Sequence, residues 1–360
     1  MSQNHRSPLS RAESFASRLG IRLPILLAPM SGACPPVLAA AVANAGGMGA
    51  CGALLMKPEE IKAWCDEFRR QSQGEFQINL WIPDPPATRD AESEKQQREY
   101  LATWGPSIPP EAGDAVPPGF ESQCDALIAA APKAISSIMG LYSSAFVSEM
   151  KTHKILWFAT VTTVAEAHAA EAAGADVIIA QAMEAGGHRG AFHPAEAVRQ
   201  MAGLVALIPQ IVDAVTIPVV AAGGIADARA VAAALILGAS AAMIGTGFLR
   251  SQESSIHSAY ADRLAHTEPH ETIVTHAFTG RPGRSIANTY ALASSAPGTP
   301  AAAPYPVQRG LTRAMREHAL KTGDTDHMQM WAGQAARFAR TDSASTITQQ
   351  LWDDASHLLS

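Results

Sequence analysis

A glycine-rich loop that carries a histidine and an arginine is the feature of this sequence best suited to do chemistry. It reads Ala185-Gly-Gly-His-Arg-Gly190 and follows a short apolar run at residues 177–180. Glycines let a ligand approach the backbone closely, and an imidazole can accept or donate a proton near neutral pH. His188 is therefore the candidate catalytic residue. His193 is its nearby rival, although it adjoins Pro194 and could simply start a helix.

Two other glycine-rich segments indicate a phosphate site. Ala222-Gly-Gly-Ile225 and Gly245-Thr-Gly-Phe248 each follow an apolar run, and Asp227 stands at a predicted helix start. Glycines expose backbone N–H groups to an anion, and a helix N-terminus favours negative charge. Tight turns would explain one such pair, but two at consecutive strand ends favour phosphate.

Two further strand ends carry side chains that could face a flat ring. Asn79 offers an amide that can orient a ligand, but a turn or capping role explains it equally well. Met30 offers a flexible thioether, which alone would indicate core filling. Neither residue alone indicates a ligand site; they do so only in combination with the residues at the other strand ends.

Short apolar runs alternate with helix-like stretches from residue 22 to about residue 250, which predicts a parallel sheet. Eight units favour an α/β fold of the (β/α)8 TIM-barrel class, with the active site at the carboxyl ends of the strands. An open doubly wound sheet is the alternative, although no GxGxxG follows the first strand. The predicted strands cover residues 24–28, 48–51, 76–80, 134–139, 155–159, 177–180, 218–221 and 241–244.

The barrel is predicted to span residues 20–265, with a proline-rich and charged insertion at 83–120 that includes a short helix near 90–102. Residues 266–360 form a C-terminal extended and helical segment that packs on the barrel, and 290–310 are predicted to be an extended loop. Helices are predicted at 163–173, 194–212, 227–237, 311–320, 326–340 and 345–358.

Composition narrows the classes of function. The 360 residues include 27 Lys and Arg against 33 Asp and Glu, a net charge of −6, so a nucleic-acid partner is not expected. No apolar run is long enough to span a membrane. The polar N-terminus and four cysteines without CxxC spacing predict a cytoplasmic location with reduced thiols.

Taken in chain order, these motifs resemble the nitronate monooxygenase family, formerly called 2-nitropropane dioxygenases. The segments that carry the resemblance are Pro24-Ile-Leu-Leu-Ala-Pro-Met30, Ala185-Gly-Gly-His-Arg-Gly190, Pro218-Val-Val-Ala-Ala-Gly-Gly-Ile225, Gly245-Thr-Gly-Phe-Leu249, Phe278-Thr-Gly-Arg-Pro-Gly-Arg284 and Met330-Trp-Ala-Gly-Gln334. The resemblance covers most of residues 20–340.

The resemblance implies a barrel that binds FMN and no metal, with His188 as the active-site histidine. It assigns four sets of cofactor contacts. The isoalloxazine contacts are Ala28, Pro29 and Met30, with Asn79 as the orienting amide; Thr160 and Gln181 face the flavin; Gly186 and Gly187 line it; and Gly223, Gly224, Gly245 and Thr246 hold the phosphate.

The implied activity is the oxidation of nitronates or nitroalkanes by O2 to carbonyl compounds and nitrite. An imidazole of ordinary pKa, near ~6.5, could take the acidic C–H proton of a nitroalkane or hydrogen-bond the nitronate. The expected partners are small molecules, with no nucleic acid and no membrane, and a homodimer is left open.

Three alternatives remain at this stage. An FMN-dependent enoyl-ACP reductase II would share the barrel and the histidine loop but need NAD(P)H and an acyl carrier; Arg189 and the Trp331–Gln334 segment favour the oxidase. A flavin-binding protein without turnover would not need His188. A phosphosugar-binding barrel would not need Met30 and Asn79 to face a ring.

Overall fold

A barrel of eight parallel strands forms the centre of the protein, whose computed structural model describes residues 7–360. Three further strands form a small separate sheet. The strands are β1 Ile25–Leu27, β2 Gly49–Gly52, β3 Phe76–Trp81, β4 Ala134–Ile138, β5 Leu156–Val161, β6 Val177–Gln181, β7 Gly187–His188, β8 Val219–Ala222, β9 Ala241–Ile244, β10 Thr272–Thr275 and β11 Gly283–Ile286.

The barrel strands follow the order β1-β9-β8-β6-β5-β4-β3-β2, and every pairing is parallel. A parallel bridge between Leu26 and Met48 joins β1 to the start of β2 and closes the ring. The predicted (β/α)8 barrel is therefore confirmed, and the open doubly wound sheet is wrong.

The helices described in residues 7–360 alternate with the strands and continue beyond them. They are α1 Pro8–Leu19, α2 Pro36–Asn44, α3 Pro58–Gln71, α4 Ala91–Leu101, α5 Phe120–Ala130, α6 Ser144–Thr152, α7 Val164–Ala172, α8 Leu204–Ala214, α9 Ala228–Ile236, α10 Ser258–His266, α11 Thr289–Ala293, α12 Val307–Leu311, α13 Arg313–Thr322 and α14 Ala344–Leu359. None of them is long and apolar enough to cross a membrane.

Alternate strand residues divide the core into two layers, because successive side chains of a strand point to opposite faces. Leu26, Phe158 and Met243 belong to the cluster inside the barrel, whereas their strand neighbours pack outward against the helices. Helix α1 contributes Phe15 and Leu19 to the interior cluster and so plugs the amino end of the barrel. The carboxyl end is left open for a ligand.

The small antiparallel sheet, in the order β10-β11-β7, lies over the barrel mouth. Strand β7 is only two residues long, and its His188 pairs with Gly283 of β11. Further along the same edge of β11, Ser285 meets Trp331 through an antiparallel bridge. The loop after β6 is thereby tied to the C-terminal part of the chain.

The 83–120 insertion packs against the C-terminal segment. Leu101 of α4 shares a buried cluster with Phe278, Tyr290 and Leu311. The Gln97 amide donates two hydrogen bonds of 2.6 Å to the carbonyls of Pro300 and Ala301. The insertion and residues 277–315 therefore form one packed unit beside the barrel mouth, which we call the lid.

Three of the predicted helical or extended segments differ from the structure. In 194–212 the helix starts only at Leu204, because the preceding chain pairs with the β6 loop through the 2.7 Å bond from Met183 N to Ala202 O. Residues 326–340 contain only a 3-10 turn at Ala336–Phe338, because their backbone bonds to β11 instead. The 290–310 segment holds the short α11 and the start of α12, and Asn288 caps α11.

Helix α14 completes the outer core, because Leu351 packs among residues of α2 and α9 and keeps only 5% of its surface. We expect Leu351→Ala to lower the free energy of unfolding by about 2–5 kcal/mol, through lost burial and the cavity left behind. Leu358 of the same helix is 58% exposed, so Leu358→Ala is the matched control, expected within about 0.5 kcal/mol of wild type. Urea unfolding measures both variants, and equal losses would contradict this packing.

Candidate active site

One cavity of about 540 Å³ opens at the carboxyl ends of the barrel strands. All thirteen residues predicted to form the site line it, whereas the rival His193 does not. The thirteen are Ala28, Pro29, Met30, Asn79, Thr160, Gln181, Gly186, Gly187, His188, Gly223, Gly224, Gly245 and Thr246. The structure thus brings together, at one mouth, residues from six strand ends.

The loop that carries His188 is held by the side chain of Gln181. The Gln181 amide donates a 3.0 Å bond to the His188 carbonyl and accepts a 2.8 Å bond from Gly190 N. Both polar groups of Gln181 are thus used within the loop, although its side chain also lines the cavity. Arg189 is 1% exposed and donates to the carbonyls of Gln181 and Ala182, so it stiffens the end of β6 and does not line the cavity.

The imidazole of His188 is enclosed by aromatic rings and one hydroxyl. Its centroid lies 4.6 Å from Trp81 and 4.7 Å from Trp331. Its Nε2 lies 2.8 Å from Thr279 Oγ1. Burial, with smaller effects of the Arg281 and Arg309 cations, lowers the pKa of His188 to about 3. The side chain is therefore neutral at pH 7, and its pKa is not the ordinary value that the sequence alone suggests.

Asn79 is held in a single amide orientation. Its Nδ2 donates to the Ser136 carbonyl at 3.2 Å and lies 3.1 Å from Ser136 Oγ. A carbonyl only accepts, so the nitrogen must face Ser136, and Oδ1 is left on the side of the cavity. An oxygen in this position accepts a hydrogen bond from a ligand N–H.

Glycine is needed at these strand ends because of backbone conformation, and at Gly223 also because of a close backbone contact. Gly223 and Gly224 have φ of +110° and +69°, and a Cβ on Gly223 would lie 3.0 Å from Ala185 N. Gly187 has φ of +76° with no atom within 4 Å of the site of a Cβ, so its face is open. Thr246 Oγ1 accepts a 3.0 Å bond from Gly333 N, which brings the C-terminal segment against this end of the cavity.

Two side chains of the lid add polar groups to the cavity wall. Arg309 lines the cavity, and no described residue hydrogen-bonds or ion-pairs with its guanidinium. Burial lowers the pKa of Arg309, but a guanidinium stays charged in proteins. The buried Tyr305 hydroxyl, also on this wall, has no partner among the described residues. This wall is therefore suited to an anionic ligand.

Sequence reasoning missed Thr279, Tyr305, Arg309 and Trp331 as site residues. Thr279 and Trp331 lie inside motifs that supported the family resemblance, but nothing local shows that these segments fold over the barrel mouth. Tyr305 precedes α12 and Arg309 lies within it, in a proline- and alanine-rich stretch whose local pattern does not indicate a ligand site.

Comparison with known proteins agrees with this architecture. A sequence model of the family described as nitronate monooxygenase matches residues 13–354. A protein named probable nitronate monooxygenase from Staphylococcus aureus strain Newman is 33% identical over 347 residues, which cover 95% of this chain and 96% of the relative.

Two solved structures are similar over nearly the whole chain. Nitroalkane oxidase from Streptomyces ansochromogenes has a TM-score of 0.87 at 33% identity, with 96% of this chain and 100% of that chain covered. FabK from Thermotoga maritima has a TM-score of 0.74 at 25% identity, with 98% and 97% covered.

The lowered pKa of His188 has a consequence for acid stability. Unfolding restores an ordinary pKa near ~6.5, so the unfolded chain binds a proton that the native state does not, and stability falls as pH drops below about 6.5. Between pH 7 and pH 5 we expect the wild type to lose about 2 kcal/mol more than His188→Asn, which lacks this group. Urea unfolding at both pH values measures the difference. Parallel pH dependence of the two proteins would contradict a lowered pKa of His188.

Proposed function

The chain belongs to the nitronate monooxygenase family of flavin oxidoreductases, and we propose that it uses FMN and O2 to oxidise nitronates and nitroalkanes to carbonyl compounds and nitrite. One observation carries the proposal. A neutral imidazole, His188, and an unpaired cation, Arg309, line the same cavity as the glycine-rich strand ends. A proton acceptor beside a positive charge suits a substrate that is a carbon acid or its anion.

The residues of the cavity fit FMN. Gly223, Gly224, Gly245 and Thr246 would hold the phosphate, because they line the cavity at two strand ends, where backbone N–H groups and a hydroxyl can bind an anion. Asn79 Oδ1 would accept a hydrogen bond from the isoalloxazine, and Met30 would lie against its apolar face. When bound, FMN supplies the acceptor for the substrate electrons and the centre that reacts with O2.

A matched pair of glycines tests the FMN site. Gly187 and Gly298 have φ of +76° and +85°, and neither has an atom within 4 Å of a Cβ site, so alanine brings the same backbone strain to both. Only Gly187 lines the cavity, and an added methyl there would meet the cofactor. We expect Gly187→Ala to weaken FMN binding at least about tenfold, a loss of about 1.4 kcal/mol, with Gly298→Ala unchanged. Fluorescence titration of the apoprotein measures both, and equal affinities would count against this placement.

His188 can accept the substrate proton because it is neutral over the physiological range. Its low pKa in the absence of ligand makes it a weak base, but a nitronate formed beside it would stabilise the imidazolium by direct charge pairing. The Trp81 and Trp331 rings limit water around it, which strengthens that pairing. Arg309 would favour the same anion, whether it is formed in the cavity or bound from solution.

If His188 accepts the substrate proton, its loss should slow the oxidation of a neutral nitroalkane more than that of a preformed nitronate. With His188→Asn, turnover of a neutral nitroalkane should fall roughly 10²–10⁴-fold, the usual contribution of a positioned base. Turnover of the preformed nitronate should fall much less, because its proton has already left. Oxygen uptake measures both rates. Equal losses on both substrates would withdraw the base role, and loss of FMN would make His188 structural.

Loss of the Arg309 charge should affect the anionic nitronate more than the neutral nitroalkane, the opposite of the effect expected for His188→Asn. Arg309→Met keeps much of the apolar stem and removes the charge, so KM for an anionic nitronate should rise about tenfold, while KM for the neutral nitroalkane changes less than about threefold. Arg313, on the outer face of α13 with its exposed partner Glu317, provides the control variant Arg313→Met. A uniform KM change on both substrates in Arg309→Met would contradict electrostatic recognition.

A further inference from the structure

Thr279 makes the one hydrogen bond that a described residue forms with the His188 ring. Its Oγ1 lies 2.8 Å from Nε2, and its side chain is 2% exposed. No described residue bonds to Nδ1, and this atom is not among the enclosed polar atoms without a partner. Because His188 lines the cavity, Nδ1 is the ring nitrogen left available to a ligand.

The direction of the Thr279 bond follows from a second contact. Thr279 Oγ1 also lies 3.3 Å from the carbonyl oxygen of Arg281, which can only accept. A hydroxyl has one proton, and if that proton points to Arg281, Oγ1 must accept from Nε2–H. This arrangement satisfies all three groups. The reverse arrangement would take the proton away from the Arg281 carbonyl and place the imidazole proton on Nδ1.

Other contacts fix the ring plane but not the identity of the protonated nitrogen. Trp81 meets the imidazole at an interplanar angle of 72° and Trp331 at 58°, so the ring is enclosed on two sides. The β7–β11 pairing and the Gln181 bond hold the His188 backbone. The Thr279 hydroxyl is therefore the group that distinguishes the two tautomers.

We propose that Thr279 is a positioning residue that keeps His188 protonated on Nε2 and leaves the Nδ1 lone pair to accept the substrate proton. This rests on the proposed function. The substrate C–H bond breaks, its proton moves to Nδ1, and its electron pair stays on the substrate as the nitronate. The imidazolium keeps its Nε2–H bond to Thr279, so the hydroxyl need not turn during the transfer.

The tautomer is measured directly by 15N NMR of the FMN-bound full-length protein labelled at its 12 histidines, with His188→Asn identifying the His188 signals. We expect the neutral His188 of the wild type to carry its proton on Nε2. Thr279→Ser, which keeps the hydroxyl, should retain this state, and Thr279→Val, which removes it at nearly equal size, should lose it. A wild-type proton on Nδ1 would overturn the proposal even if Thr279→Val failed to fold.

Kinetics provide the second readout. In Thr279→Val the ratio of neutral-nitroalkane to nitronate turnover should fall roughly 10- to 100-fold, as when the group that orients a metal-bound histidine is removed. Thr279→Ser should restore the ratio. An unchanged ratio and tautomer in Thr279→Val would reject the role of Thr279 while leaving the proposed function standing. If the wild type oxidised no nitro compound, the proposed function would fall, and the spectra would still decide the tautomer.

Discussion

The pairing of the two-residue strand β7 with β11 is the interaction on which the rest of the site depends. It joins a loop of the barrel to the C-terminal segment and places His188 opposite Gly283. Arg284 strengthens the junction, because its guanidinium donates to the Met183 carbonyl at 2.9 Å and to Thr272 Oγ1 at 2.9 Å. Without this pairing, the glycines around His188 would leave the loop too free to hold an imidazole in one position.

The lid depends on a buried ion pair in the same way. Arg281 is 2% exposed and donates to both oxygens of Asp84 at 3.0 Å. Asp84 begins the 83–120 insertion, so the pair ties the insertion to the motif that carries Thr279. A buried cation this close to His188 also favours the neutral imidazole. Arg281 therefore both ties the insertion to the segment that carries Thr279 and helps to lower the pKa of His188.

Much of this arrangement follows from sequence patterns alone. The buried strands appear in the sequence as continuous apolar runs. Because the carboxyl ends of barrel strands meet at one mouth, the thirteen residues at these ends could be predicted to line one cavity. The pattern could not predict the lid, because its contacts join residues such as Gln97 and Pro300 that are distant in the chain. Residues 326–340 looked helical because their apolar spacing is set by burial under β11, and backbone bonds to that strand took precedence over local propensity. The pKa of His188 likewise depends on burial that composition does not show.

We propose that nitronates donate electrons to a flavin bound in this cavity. The decisive measurement mixes the FMN-bound protein with a preformed nitronate, without O2, and follows the visible absorbance of the flavin. A separate sample receives NADPH in place of the nitronate. We expect rapid loss of absorbance with the nitronate and little change with NADPH. Rapid loss with NADPH and none with any nitronate would contradict it and favour a reductase.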